Sequence, residues 1–220
     1  MQVYPSVLVK DFEEFEAKIN LVKGLVDTVH LDIMDGVFVE NSTIYDIDKI
    51  NSFDWGVDYE LHLMVKESEI EKWLNTNAKR IIFHYEAINQ KPKTKNQNHK
   101  AKIKNLINKI RERKKEVGIA VNMETDIENI FPFLNELDLV LIMSIKPGWS
   151  GQKFTPEALE KVKKLRDKKF NGIIEIDGGV NEENIDAIAN SGAGAVSVAS
   201  AIWKDKSKIK DQISKLQIKN

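Results

Sequence analysis

Eight short apolar runs recur along this chain, most of them followed by a stretch with helical periodicity, and that alternation restricts the fold more than any other feature. The runs cover residues 3–9, 26–34, 57–65, 79–86, 117–122, 137–144, 172–177 and 193–199. They are rich in Val, Ile and Leu and are apolar on both faces, which is the pattern of parallel strands covered on both sides. Between them, Phe12, Phe15, Ile19 and Val22 follow the helical period, as do Ile103, Leu106, Ile107 and Ile110, and Leu159, Val162 and Leu165. Asp11 with Glu14 and Ser68 with Glu71 have the spacing of capping boxes, and Thr155 before Pro156 reads as an N-cap followed by proline at the first helical position. Eight strands alternating with helices predict an α/β fold: a closed (β/α)8 TIM barrel, one domain over residues 1–220, with an open doubly wound sheet as the alternative. The least patterned unit is 44–52.

Length and composition agree. The chain has 220 residues, 42% of them hydrophobic and 30% charged, enough for one sizeable core in a soluble protein. The formal net charge is −1, which gives no general reason to bind nucleic acid or a membrane surface. No apolar run reaches the ~18 residues of a membrane span. The N-terminal sequence turns acidic too early for a signal peptide. There is no cysteine, so disulfides and thiolate metal sites are excluded and a reducing, cytoplasmic setting is expected. The segment 91–115 is rich in lysine and asparagine; it reads as a solvated loop followed by an amphipathic helix with a basic outer face. No aromatic residue interleaves its lysines, which argues against a nucleic-acid surface.

The chemistry gathers at the C-terminal ends of the runs, the rim that carries the active site in a barrel. His30 and Asp32 lie two apart in VHLDIMDG and share one face of their strand; His62 lies in ELHLMV and Asp177 in IIEIDGG. A lone histidine in such a strand is more often a hydrogen-bonded core residue. Two histidines and two aspartates on three strand ends differ, because buried carboxylates without partners cost several kcal/mol and a shared cation removes that cost. Nitrogen and oxygen ligands suit one divalent metal ion: Zn²⁺, Fe²⁺, Mn²⁺ or Co²⁺. Two glycine segments form a second group. Pro147-Gly148-Trp149-Ser150-Gly151-Gln152 follows the sixth strand and Gly178-Gly179 the seventh, while Ala199-Ser200 follows the eighth. Such turns let backbone N–H groups approach an anion, and barrels often hold phosphate there. Met34, Met64 and Met143 would line the same rim as an apolar wall. Of the tryptophans, only Trp149 falls in the glycine loop.

Taken together, PSVLVKDF, VHLDIMDGVFVEN, LHLMV, MSIKPGWSGQKF, IEIDGGVN and SAIW resemble the ribulose-phosphate 3-epimerase family and its close sugar-phosphate epimerase relatives. The resemblance runs in order from Pro5 to Trp203. It implies a (β/α)8 barrel with a divalent metal held by His30, Asp32, His62 and Asp177, and with Asp32 and Asp177 acting as acid and base. It places Ser6 near the substrate and gives the phosphate to amides of the glycine loop and the eighth strand. The implied partner is a small sugar phosphate, with no nucleic acid or membrane, and the implied assembly is a homo-oligomer. The implied reaction inverts C3 of a ketose phosphate through an enediolate, D-ribulose 5-phosphate to D-xylulose 5-phosphate.

Some positions depart from the family pattern. Val9-Lys10 replaces a usual Ser-Ala pair, Glu40 stands where proline is common, and a Gly-Pro after Asn41 is missing. Lys146 occupies a usually neutral or acidic position, and Ala199 replaces a phosphate-binding glycine; Lys146 would offset that loss if it pointed inward. These changes motivate two alternatives: an epimerase of a hexulose 6-phosphate such as allulose 6-phosphate, and a barrel that binds sugar phosphate without turnover. An aldolase or decarboxylase of related shape would want a lysine near the metal ligands, and VHLDIMDG contains none.

Overall fold

The computed structural model describes residues 1–88 and 97–217. Every apolar run forms a strand: β1 (Gln2–Val7), β2 (Thr28–Met34), β3 (Asp58–Met64), β4 (Arg80–His84), β5 (Glu116–Val121), β6 (Leu139–Met143), β7 (Ile173–Asp177) and β8 (Ala195–Val198). Each pairs in parallel with its sequence neighbour. β8 returns to β1, with Gln2 opposite Ala195 and Pro5 opposite Val198, so the sheet closes as a barrel rather than staying open.

The two-residue period of the strands sorts their side chains onto two faces. On the outer face, Val29, Leu31 and Ile33 of β2 and Tyr59, Leu61 and Leu63 of β3 join one continuous buried cluster with the surrounding helices. Phe15 and Ile19 pack there from α1 (Phe12–Val22), and Val162 and Leu165 from α6 (Ala158–Asp167). Each such side chain contributes about 1.5–3 kcal/mol when fully buried. The inner face is divided. Ile82, Ala120, Leu139, Leu141 and Met143 form a small apolar cluster on the β4–β6 side. The rest of the interior is polar: Tyr4, Ser6, His30, Asp32, Glu60, His62, Arg80, His84, Glu175 and Ser197 are all buried. A barrel interior built of hydrogen-bonded charges needs those charges to be matched one by one.

The remaining helices are α2 (Ile47–Ser52), α3 (Glu67–Ile70), α4 (Tyr85–Ile88), α5 (Gln97–Glu112), α7 (Ile185–Asn190), α8 (Ser200–Trp203) and α9 (Ile209–Leu216), with 3₁₀ turns over Glu71–Asn75, Ile127–Glu136 and Lys206–Lys208. Asp11 caps α1 by accepting from the Glu14 N–H at 2.8 Å, as its spacing predicts. Ser68 does not cap: α3 begins one residue earlier, so Ser68 lies inside its first turn, and the Lys66 N–H instead donates to Asp35 Oδ2 at 2.8 Å. Thr155 is not the α6 cap either. A tight turn, with the Ala158 N–H donating to the Thr155 carbonyl at 3.1 Å, delays the helix to Ala158 and leaves Pro156 ahead of it. The poorly patterned 44–52 unit yields only the six-residue α2, capped by Asp46.

The loop expected in the first part of 91–115 falls largely outside the described residues; the second part is α5. Its basic face is matched by acids on neighbouring elements: Lys102 with Glu67 at 2.8 Å, Lys109 with Glu71 at 2.5 Å and Lys104 with Glu136 at 3.2 Å. No described helix is long and apolar enough to cross a membrane.

Candidate active site

Strand closure brings His30, Asp32, His62 and Asp177 together at the upper end of the polar interior. His62 Nδ1 lies 2.9 Å from Asp32 Oδ1 and 3.6 Å from Asp177 Oδ2. His30 Nε2 lies 3.4 Å from Asp32 Oδ1 yet makes no hydrogen bond, although it is completely buried. Ser6 Oγ donates to the other oxygen of Asp32 at 2.6 Å. The four side chains each offer a ligand atom, all within 4.8 Å of one another. Atoms held at about 2.1 Å by a tetrahedral dication stand about 3.4 Å apart. The observed spacings bracket that value, and an unpartnered buried imidazole nitrogen aimed into the group is what a ligand looks like. The set can hold a metal ion.

The far nitrogen of each imidazole is held as well, that of His30 by carboxylates and that of His62 by a further histidine. His30 Nδ1 lies 2.7 Å from Glu60 Oε1 and 3.2 Å from Glu175 Oε1. Glu60 is paired in turn with Arg80, which also reaches Glu116 at 2.5 Å. His62 Nε2 lies 2.8 Å from His84 Nε2, and His84 Nδ1 lies 3.2 Å from Glu86 Oε2. Electrostatics follow from this packing. Burial works against the His30 imidazolium, but the Glu175 charge and the adjacent carboxylates of Asp32, Glu175 and Glu60 outweigh it and hold the group well above its ordinary value. Burial would raise Asp32; the His30 and His62 imidazoles set against it prevail and hold it well below the carboxylate range. Asp177 is raised by burial and by the Asp32 charge. Glu175 is pushed up to about 8 by burial and the neighbouring Glu60 charge. Burial lowers His84, keeping it neutral, whereas the hydrogen bond and charge of His84 hold Glu86 low against its own burial. Two carboxylates on one floor with opposed proton affinities are suited to acid and base work.

Above this floor lies a partly open depression. Met34, Met64 and Met143 line it together with Asp32, Asp177 and Ser6. Its rim is made by Gly148, Trp149, Ser150 and Gly151, by Gly178 and Gly179, and by Ala199 and Ser200. His30 and His62 sit beneath, fully buried. The proposed metal, acid–base and substrate-contacting residues read from the sequence thus meet at one place. Gly179 has φ +63° and a Cβ there would stand 2.4 Å from the Phe154 nitrogen, so no other residue fits that turn. Asn41 Nδ2 donates to the Gly148 carbonyl at 3.0 Å and fastens the β2–α2 loop to the glycine loop. Lys146 does not point inward: it is exposed and lines an outer groove with Glu40 and Glu124. It therefore does not compensate for Ala199.

The sequence reading passes over several residues of the site. Ser197, opposite Asp177 in the ladder, lines the depression with a buried, unpartnered hydroxyl. Ser144 Oγ donates to the Gly178 carbonyl at 2.6 Å, and Trp203 Nε1 to the Ser6 carbonyl at 2.6 Å. Glu60 and Glu175 stand two residues before His62 and Asp177, so the strand period alone places them on the same face. His84 and Glu86 close the fourth strand-like run and carry the same signal.

The profile of the Ribulose-phosphate 3 epimerase family matches residues 2–203. The chain is 34% identical over 214 residues to a protein of Schizosaccharomyces pombe named ribulose-phosphate 3-epimerase, covering 92% of this chain and 86% of that one. It is 33% identical over 210 residues to the cytoplasmic isoform of ribulose-phosphate 3-epimerase from Oryza sativa, covering 92% and 87%. Among solved structures, 3-hexulose-6-phosphate synthase of Salmonella typhimurium superposes with a TM-score of 0.67 over 99% of this chain and 100% of that one, at 14% identity, a likeness of fold alone. The family match spans the barrel from its first strand to the helix after its last, and the chain belongs to the ribulose-phosphate 3-epimerase family.

Proposed function

We propose that this protein is an isomerase that inverts C3 of a ketose phosphate, converting D-ribulose 5-phosphate to D-xylulose 5-phosphate. The observation that carries this reading is the pairing of Asp32 and Asp177 at the floor of a pocket whose rim is built of glycine turns. A C–H next to a carbonyl is a very weak acid, so inversion needs a base on one face of the carbon and an acid on the other. Asp32 and Asp177 take these roles and exchange them with the direction of reaction. Ser6 keeps Asp32 oriented through its hydrogen bond. The methionine wall excludes water while the carbon is planar. The backbone N–H groups of Gly148–Gly151, Gly178–Gly179 and Ala199–Ser200 hold the phosphate, which supplies binding energy away from the reacting carbon and fixes the sugar in place.

His30, Asp32, His62 and Asp177 would hold a divalent cation, and that cation would supply Lewis-acid stabilisation of the negative charge created by proton removal. Two nitrogen and two carboxylate donors suit Zn²⁺, Fe²⁺, Mn²⁺ or Co²⁺. The same reading carries self-association of the barrel in a reducing, cytoplasmic setting; sedimentation equilibrium tests the first part. The central test is metal analysis of the purified protein coupled to an epimerase assay on ribulose 5-phosphate before and after chelation. Activity lost on chelation and restored by one metal per chain is the expected result. A protein that binds no divalent metal and does not turn over the pentulose phosphate would overturn the proposal.

A further inference from the structure

We infer that His84 and Glu86 are positioning residues that fix the tautomer of His62, so that its Nδ1 is the nitrogen turned toward Asp32 and Asp177. This rests on the reading of His62 as a metal ligand. It adds two residues that touch neither the substrate nor the metal.

The inference comes from counting protons along one chain of contacts. The Asn122 N–H donates to Glu86 Oε1 at 2.8 Å. The second oxygen, Oε2, faces His84 Nδ1 at 3.2 Å. A carboxylate only accepts, so His84 carries its proton on Nδ1 and its Nε2 holds a lone pair. That lone pair lies 2.8 Å from His62 Nε2. Two N–H groups cannot face each other at that distance, nor can two lone pairs. His62 therefore bears its proton on Nε2 and presents a bare Nδ1; that atom lies 2.9 Å from Asp32 Oδ1, also an acceptor, a pairing that a cation held between them would satisfy. Both rings are completely buried, so water cannot reset the pattern. Packing holds the rings in place as well. His62 and His84 lie at a centroid distance of 4.9 Å and 25° between planes, and Phe38 covers His84 from another side, also at 4.9 Å. The backbone anchor at Asn122, the residue after β5, gives the whole relay a fixed origin. Carboxylate-backed histidines of this kind raise ligand basicity and set ring orientation.

The test is the zinc affinity of the full chain, measured by competition with a chromogenic chelator, alongside melting of the chelated proteins. Glu86→Gln is nearly isosteric. Its amide oxygen keeps the Asn122 N–H and turns the NH₂ toward His84 Nδ1, which must then accept. Every bond in the relay reverses, and His62 is left with a proton on Nδ1. E86Q should weaken zinc binding about 10–100-fold with little change in melting after chelation. H84L leaves His62 Nε2–H without an acceptor and should do the same. H84Q restores an acceptor and should recover most of the affinity.

E86Q and H84L that fold and bind zinc as tightly as the unmodified protein would overturn the inference. If neither variant folds, the ¹⁵N imidazole spectrum of the zinc-loaded wild-type chain decides. A slowly exchanging proton on His62 Nε2 supports the inference, and its absence overturns it. If the wild-type chain itself binds no zinc or other dication, the failure lies with the proposed function and not with the relay.

Discussion

Asp32 and Asp177 share one floor but are held by different neighbours. Asp32 accepts from Ser6 and lies against two imidazoles, whereas Asp177 is raised by burial and by the charge of Asp32 itself. Asp177→Asn keeps the shape and removes the proton-transfer group. It should slow exchange of the C3 hydrogen with deuterated water by about 10²–10⁴-fold, with an unchanged circular dichroism spectrum; retained exchange would remove Asp177 from the mechanism. Deeper in the barrel, Glu60 depends on Arg80 for its counter-charge. Arg80→Met leaves a carboxylate stranded in the interior and should cost about 3–5 kcal/mol in urea unfolding, a loss that adding Glu60→Gln should largely recover. A single variant no less stable than the parent would show that His30 alone satisfies Glu60. Glu60 illustrates what a sequence conceals at this scale. Its place on the same face as His62 follows from counting by two. That it is buried and paired with Arg80 follows only from the ladder register between β3 and β4.

At the scale of elements, strands are more legible than the starts of helices. The apolar runs identify all eight strands because both faces of each are buried, so nothing polar blurs them except the site itself. Caps depend on where the first turn closes. Asp11 caps α1 because β1 ends far enough ahead to leave it extended, with φ −121°. Ser68 and Thr155 have suitable side chains, but the loops before them are tied elsewhere: one through Lys66 to Asp35, the other through the Thr155 N–H to the Ser144 carbonyl at 3.0 Å. The turn after β7 is the most constrained of these connections. Gly179→Ala must hold a left-handed backbone, costing about 1–2 kcal/mol, and must also push the Phe154 backbone away. The variant should melt several degrees lower and bind inorganic phosphate more weakly, since Phe154 carries the end of the glycine loop. An unchanged melting temperature would mean that the turn relaxes without strain.

The whole molecule joins these levels through its divided interior. A barrel filled only by Ile82, Leu139, Leu141 and their neighbours would be stable and inert; here much of the interior is given to charges instead. The motifs mark the candidate ligands, and the strand period places Glu60 and Glu175 on the same faces; that both meet His30 follows only from the folded barrel, where β2, β3 and β7 converge. The same arrangement concentrates like charge: Asp32, Asp177, Glu60 and Glu175 lie around two histidines and one arginine. A dication bound there would offset that repulsion and belong to the folded state alone. It should therefore stabilise the fold by about 2.7 kcal/mol when present at a hundred times its dissociation constant. Melting of the chelated protein should rise by several degrees on adding zinc, and His30→Ala should abolish the rise because it removes the buried nitrogen of the cluster that makes no hydrogen bond. A rise that survives in H30A would place the ion elsewhere and detach the four-residue cluster from both stability and catalysis.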